Sequence, residues 1–167
     1  EYEEKFYEQK YIIDFIKANN IRLNSIVTEA HEYIKNVSKK YEFDSMFVSF
    51  SGGKDSTIAA ALIAEAIGPD RVIGVAMPDK NQGINEADEI CKHLGIKYMY
   101  MPIEGITDGF DRMWYFLGDE DFKWTNQSLQ NIPPRIRMTM LYAVAQTFNG
   151  MVVNTCNLSE DWVGYST

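Results

Sequence analysis

Ser51-Gly52-Gly53-Lys54-Asp55-Ser56 gathers two glycines, two hydroxyls, an amine and a carboxylate into one short segment. The glycines let the backbone approach a ligand closely and adopt positive φ. The segment stands where a helix begins, and a helix N-terminus offers free N–H groups and a dipole that favours an anion. Ser51 and Ser56 add donors. These features make a cradle for phosphate or pyrophosphate. The spacing is not that of a Walker A loop, which would place glycine at Val48 and a hydroxyl residue at Asp55. No G-x-G-x-x-G dinucleotide fingerprint occurs either. A carboxylate inside an anion cradle needs a cation beside it, so Asp55 points to Mg²⁺ carried in with the phosphates.

Such a loop needs a strand to deliver it and a helix to follow it. Met46-Phe47-Val48-Ser49-Phe50 reads as a buried strand running straight into the glycines, and Thr57 to Ile67 as an apolar helix stopped at Gly68-Pro69. The alternation continues. Val72 to Met77 reads as a strand, Glu86 to Leu94 as a helix capped by Asn85, and Tyr98 to Met101 as a third strand. Phe110 to Phe116 reads as a short helix and Gly118 to Asn131 as a polar loop. Pro133 or Pro134 is expected to open a helix from Arg135 to Phe148. Met151-Val152-Val153 reads as a fourth strand. Upstream, residues 1–42 carry helical periodicity, at Tyr7, Tyr11, Ile12, Phe15 and Ile16 and again from Ile26 to Val37. The expectation is an α/β fold, a parallel sheet with helices on both faces. Its ligands should gather at the carboxyl ends of the strands. Residues 1–42 are expected to pack as helices on a domain formed by residues 43–167.

Composition bounds the function. The 167 residues include 16 Lys and Arg against 24 Asp and Glu, a net charge of −8. That opposes a broad nucleic-acid footprint but leaves room for a small anion in a local pocket. Hydrophobic residues at 46 % and charged residues at 24 % match a soluble globular domain. Cys91 and Cys156 form no disulfide framework, and a reducing cytoplasmic setting fits. No apolar run approaches the ~20 residues of a membrane span. Cys91-x-His93 lacks the second pair of ligands a zinc site requires. The chain opens on Glu1 and ends at Thr167 without a stop signal, so a piece of a longer protein is expected.

The hexapeptide resembles the pyrophosphate loop of the N-type ATP pyrophosphatases, the PP-loop superfamily. Two later segments resemble one branch of it. Asn131-Ile132-Pro133-Pro134-Arg135-Ile136-Arg137-Met138 matches an N-x-x-x-R-x-R-M helix start. Asn154-Thr155-Cys156-Asn157-Leu158-Ser159-Glu160, followed by Gly164-Tyr165-Ser166-Thr167, matches a G-T-x-N-x-S-E loop and a G-Y/F-x-T segment. By order and spacing the region from about Ser45 onward resembles the NAD⁺ synthetase family. Asn154 departs from its usual glycine. The family's next segment would begin at position 168, so the C-terminal part of the site is expected to be missing.

The resemblance implies a Rossmann-like adenine nucleotide α-hydrolase fold and an ammonia-dependent ligase. Deamido-NAD⁺, ATP and ammonia would give NAD⁺, AMP and pyrophosphate through an adenylated intermediate. It places Ser49, Phe50, Ser51, Gly52, Gly53, Lys54, Asp55 and Ser56 at ATP and its pyrophosphate, Met77 at the adenine and Thr155 on ATP. Asp55 and Glu160 would share Mg²⁺ and act in catalysis through it. Arg135 would contact deamido-NAD⁺; Arg137, two residues on, faces elsewhere and ranks below it. The implied partners are the three substrates and a second copy in a homodimer, in the cytoplasm, with no nucleic acid and no membrane. Two other readings carry the same loop: a sulfonucleotide reductase or tRNA-modifying enzyme, and a non-catalytic adenine-nucleotide-binding domain. The first prefers paired cysteines or a basic surface. The second has no use for a carboxylate at Glu160.

Overall fold

The computed structural model describes residues 14–18, 22–50, 53–80, 85–113 and 124–156. The elements, in chain order, are α1 (Leu23–Tyr41), β1 (Ser45–Phe50), α2 (Lys54–Ile67), a 3₁₀ turn (Pro69–Arg71), β2 (Val72–Ala76), α3 (Asn85–Leu94), β3 (Lys97–Tyr100), α4 (Glu104–Met113), α5 (Asn126–Thr147) and β4 (Gly150–Val152). The strands form one sheet in the order β3-β2-β1-β4. Every pairing is parallel, with Met46 opposite Val72 and Met151, and Ile73 opposite Lys97.

Alternation along the strands decides which helices cover which face. Met46, Val48 and Phe50 of β1 point to one side, with Val72 and Ala76 of β2. There they pack with Ala60 and Ile63 of α2 and Ala87 and Cys91 of α3. Phe47, Ile73, Val75 and Met77 point to the other side, against Ile103 at the entry to α4 and Ile136, Leu141 and Ala145 of α5. β1 and β2 are buried on both faces, so they read as continuous apolar runs. α1 lies outside α2: Ile34 and Val37 reach the first core, and His31 Nε2 sits 3.3 Å from Glu65 Oε2. Among the described residues no helix is long and apolar enough to cross a membrane.

Two elements differ from the sequence expectation. α4 starts at Glu104, not Phe110. Its inner face is short and partly polar: buried Thr107 donates to Asp79 Oδ1 at 2.8 Å, and Gly105 and Gly109 blur the apolar period. The second difference is larger. Residues 126–131 were expected in a polar loop, yet α5 begins at Asn126 and carries Pro133 and Pro134 in its interior. Thr125 is its N-cap, its Oγ1 accepting from the Ser128 amide at 3.1 Å. Such a cap contributes about 1 kcal/mol. The prolines remove two amides from the ladder and would ordinarily break a helix. Here Ile132, Ile136, Met140, Leu141 and Val144 pack along the sheet, and that burial outweighs the lost bonds.

At the amino edge of the sheet a polar clasp joins β1, β2 and β4. Arg71 donates to Phe43 O at 2.6 Å and Asp44 O at 3.2 Å while its guanidinium lies over the Phe43 ring. Asp44 and Asn149 exchange two contacts, Asp44 N to Asn149 O at 2.9 Å and Asn149 Nδ2 to Asp44 Oδ2 at 3.2 Å. Asn149 takes positive φ, which asparagine tolerates better than most residues.

Candidate functional site

The chemistry-bearing residues converge because the strands are parallel and in register. Phe50 pairs with Ala76, so Met77 follows at the same edge. Phe47 pairs with Val152, so Thr155, three residues past the last pair on β4, arrives level with the end of β1. Val153 N extends that pairing by donating to Phe47 O at 2.9 Å. The carboxyl edge therefore holds the ends of β1, β2 and β4 together.

α2 starts at that edge. Gly53 is its N-cap with extended backbone and no side-chain cap. Ser56 Oγ donates to Gly53 O at 3.0 Å, and Thr57 Oγ1 to the same oxygen at 3.1 Å. Ser56 is buried, Asp55 is half-exposed in the first turn, and Lys54 Nζ lies 3.4 Å from Asp55 Oδ1 in solvent. Ser51 and Gly52, and Glu160 beyond the fourth strand, lie outside the described residues. Among the described residues no three His, Cys, Asp or Glu side chains cluster to hold a metal. A divalent ion at Asp55 would share its shell with phosphate oxygens, as Mg²⁺ usually does, and one hard carboxylate at a helix N-terminus fits that demand.

Next to the end of β1 the described residues line a cleft of about 650 Å³. Ser49, Asn154, Thr155 and Cys156 form the sheet side, and Pro134, Arg137, Met138, Leu141 and Tyr142 of α5 the helix side. Ser49 and Thr155 thus meet at one opening. Phe50 does not face it: its ring packs in the first core against Gly74. Met77 is buried in the second core beneath α5. Arg135 is exposed and lies outside the cleft wall.

Sequence reasoning ranked Arg137 low, yet it is the arginine that lines the cleft. Its Nε donates to Met77 O at 2.8 Å. Burial lowers its pKa, and the Asp79 carboxylate opposes that shift. The signal was the i, i+2 spacing: two arginines that far apart face opposite sides of a helix, and the apolar series Met140, Leu141 and Val144 falls on the side of Arg137. Asn154 replaces the usual glycine without left-handed backbone, because its Oδ1 accepts from the Cys156 amide at 2.9 Å and shapes the turn itself.

Comparison with known proteins gives this edge a family. An NH(3)-dependent NAD(+) synthetase of Methanocaldococcus jannaschii is 34 % identical over 148 residues, 87 % of this chain and 56 % of its own length. The chain thus spans about half the length of the curated relatives it matches. The NH3-dependent NAD synthetase of Campylobacter jejuni, solved with a nitrate ion, superposes with a TM-score of 0.75 at 28 % identity, over 86 % of this chain and 61 % of that one. A glutamine-dependent NAD⁺ synthetase of Acinetobacter baumannii, solved with ADP, gives a TM-score of 0.77 at 25 % identity, over 85 % of this chain and 27 % of that one. The helix-flanked parallel sheet is the adenine nucleotide α-hydrolase fold of these neighbours. The sequence family described as NAD synthase matches residues 26–167, and the chain belongs to that family.

Proposed function

We propose that the protein to which this chain belongs amidates deamido-NAD⁺ with ammonia at the expense of ATP, as a cytoplasmic ligase. The observation that carries the reading is that the α2 N-terminus, with Gly53 and Asp55, starts at the same carboxyl edge of the sheet as the cleft lined by Ser49 and Thr155. In the order of events, a nicotinate carboxylate oxygen attacks the α-phosphorus of ATP and pyrophosphate leaves. Ammonia then attacks the acyl carbon and AMP leaves. Neither step asks the protein for a nucleophile; both ask for alignment and charge neutralisation.

The residues divide that work. Free amides at the start of α2, with Ser51, Gly52, Gly53 and Ser56, hold the departing pyrophosphate, joined by Lys54. Ser49, Thr155 and the backbone at Phe50 border the ATP, with Met77 beneath the adenine. Arg135 recognises deamido-NAD⁺ from the solvent side of α5. Asp55, with Glu160, would hold Mg²⁺, which when bound neutralises the phosphate oxygens. Within residues 1–42, α1 serves as a helix packed on the domain of residues 43–167, while residues 1–13 and 19–21 lie outside the described residues. The identity of 34 % to ammonia-dependent relatives supports free ammonia as the nitrogen donor. A reductase reading loses support because the Cys91 thiol is fully buried and pushed up to about 11 by burial and then by Asp88. That disfavours the thiolate such chemistry needs.

Chromatography of a reaction mixture tests the reading. The full-length protein is expected to form AMP and pyrophosphate from ATP, and only with deamido-NAD⁺ present; ADP as the main product would overturn it. The same reading includes a homodimer with two-fold symmetry, the commonest assembly. Tyr33 of α1 and Tyr142 of α5 are among the exposed large side chains available to it. Light scattering of the full-length protein at micromolar concentration is expected to give twice the chain mass, and a monomer mass would remove the dimer.

A further inference from the structure

Past Ala76, the last residue of β2, the chain runs on through Met77 and Pro78. Phe50 to Ala76 is the last registered pair. Carbonyls of an extended segment alternate in direction. Ala76 O accepts from Met101 N, and Pro78 O from Ile103 N, each at 2.9 Å, so both point toward β3 and its exit. Met77 O, between them, points the other way, beyond the last registered residue of β1. A buried carbonyl without a partner is costly. Arg137 supplies that partner from α5, across 60 residues of sequence.

The choice of residue is informative. An amide or hydroxyl could satisfy one carbonyl, whereas a guanidinium half-removed from water carries a desolvation penalty that needs compensation. The compensation lies at the same corner. Asp79 is close enough to act on Arg137 electrostatically, and Asp79 is itself held by the buried Thr107 hydroxyl of α4 at 2.8 Å. One side chain therefore joins α5, the end of β2 and, through Asp79, α4. It also lines the cleft opposite Thr155.

We propose that Arg137 is a positioning residue that fixes the dinucleotide-bearing helix α5 against the adenine end of β2, so that the two nucleotides are held in one relative placement. The inference rests on the site reading proposed above. Arg135, on the exposed side of the same helix, serves one substrate only. Arg137 serves both, because either half of the site is displaced when the tie is cut.

Calorimetric titration of the full-length protein with Mg-ATP alone and with deamido-NAD⁺ alone tests this without requiring turnover. Arg137→Met keeps the apolar stem and removes the guanidinium. It is expected to weaken both nucleotides by about tenfold and to lower the thermal midpoint by a few degrees, as one orphaned buried carbonyl would. Arg135→Met is expected to weaken deamido-NAD⁺ alone. Arg137→Lys keeps a cation near Asp79, loses the Nε–H, and should fall between wild type and Arg137→Met. It carries the same comparison if the methionine variant does not fold. Wild-type affinity for both nucleotides in a folded variant, or a loss confined to one, overturns the role of Arg137 while leaving the functional reading intact. A wild-type protein that binds neither nucleotide overturns the functional reading and this inference together.

Discussion

Asp55→Asn in the full-length protein is expected to lower turnover at saturating Mg²⁺ by about 10²–10³, the usual scale for losing one important electrostatic contact, with folding unchanged. The substitution keeps size and hydrogen-bonding capacity and removes one charge. Asp55 stands in the first turn of α2, so a purely structural role would be its favourable interaction with the helix dipole. That is worth about 0.3–1 kcal/mol at an exposed position. Its contact with Lys54 is solvent-exposed and contributes about 0–1 kcal/mol. Neither could remove activity from a folded enzyme. Glu160→Gln should behave alike, and the double variant should be little worse than either single one, because groups acting as a unit are non-additive. Rates within about twofold of wild type would take Asp55 out of the site.

The second large effect falls on stability. Gly74 lies in central strand β2, and a Cβ there would stand 2.5 Å from Cys91 Sγ and 2.8 and 2.9 Å from the Phe50 ring. Both neighbours are buried, so neither has free space to move into. Gly74→Ala should therefore destabilise the protein by about 1–3 kcal/mol or more, read as a lower midpoint in chemical denaturation. Adding Cys91→Ala should recover part of the loss, since contacting residues couple. Gly105→Ala in α4 is the control: nothing lies within 4 Å of the added methyl, and the helix gains about 0.4–1 kcal/mol from a less flexible unfolded chain. A Gly74→Ala midpoint equal to that of the control would refute the close packing described for this strand.

The parallel sheet was legible because β1 and β2 are apolar on both faces and end in glycine or proline. The start of α2 was legible because Gly52 and Gly53 follow an apolar run and precede an Ala-rich one. α5 was not, since its start depends on Thr125 capping a polar first turn, and its prolines are tolerated only through contacts made across the sheet. Arg137 and Phe50 show the same limit at the site. A motif marks that an arginine or an aromatic is present. Which side of the element faces the cleft is decided by packing against residues far away in sequence. In Phe50 the strand alternation already pointed the ring inward, toward Gly74.

The clasp at the amino edge has a consequence in time. Asp44 and Asn149 are 105 residues apart, and β4 joins the sheet only beside β1. The sheet side of the cleft takes Ser49 from near the start of that span and Thr155 from beyond its end. Closing so long a loop is paid for before its contacts give anything back. β1, β2 and β3, and the start of α2 between them, are all complete in the chain by Tyr100. The sheet side of the cleft is complete only once synthesis has passed Thr155. A nascent chain thus presents the start of α2 well before the cleft at the same edge has been synthesised.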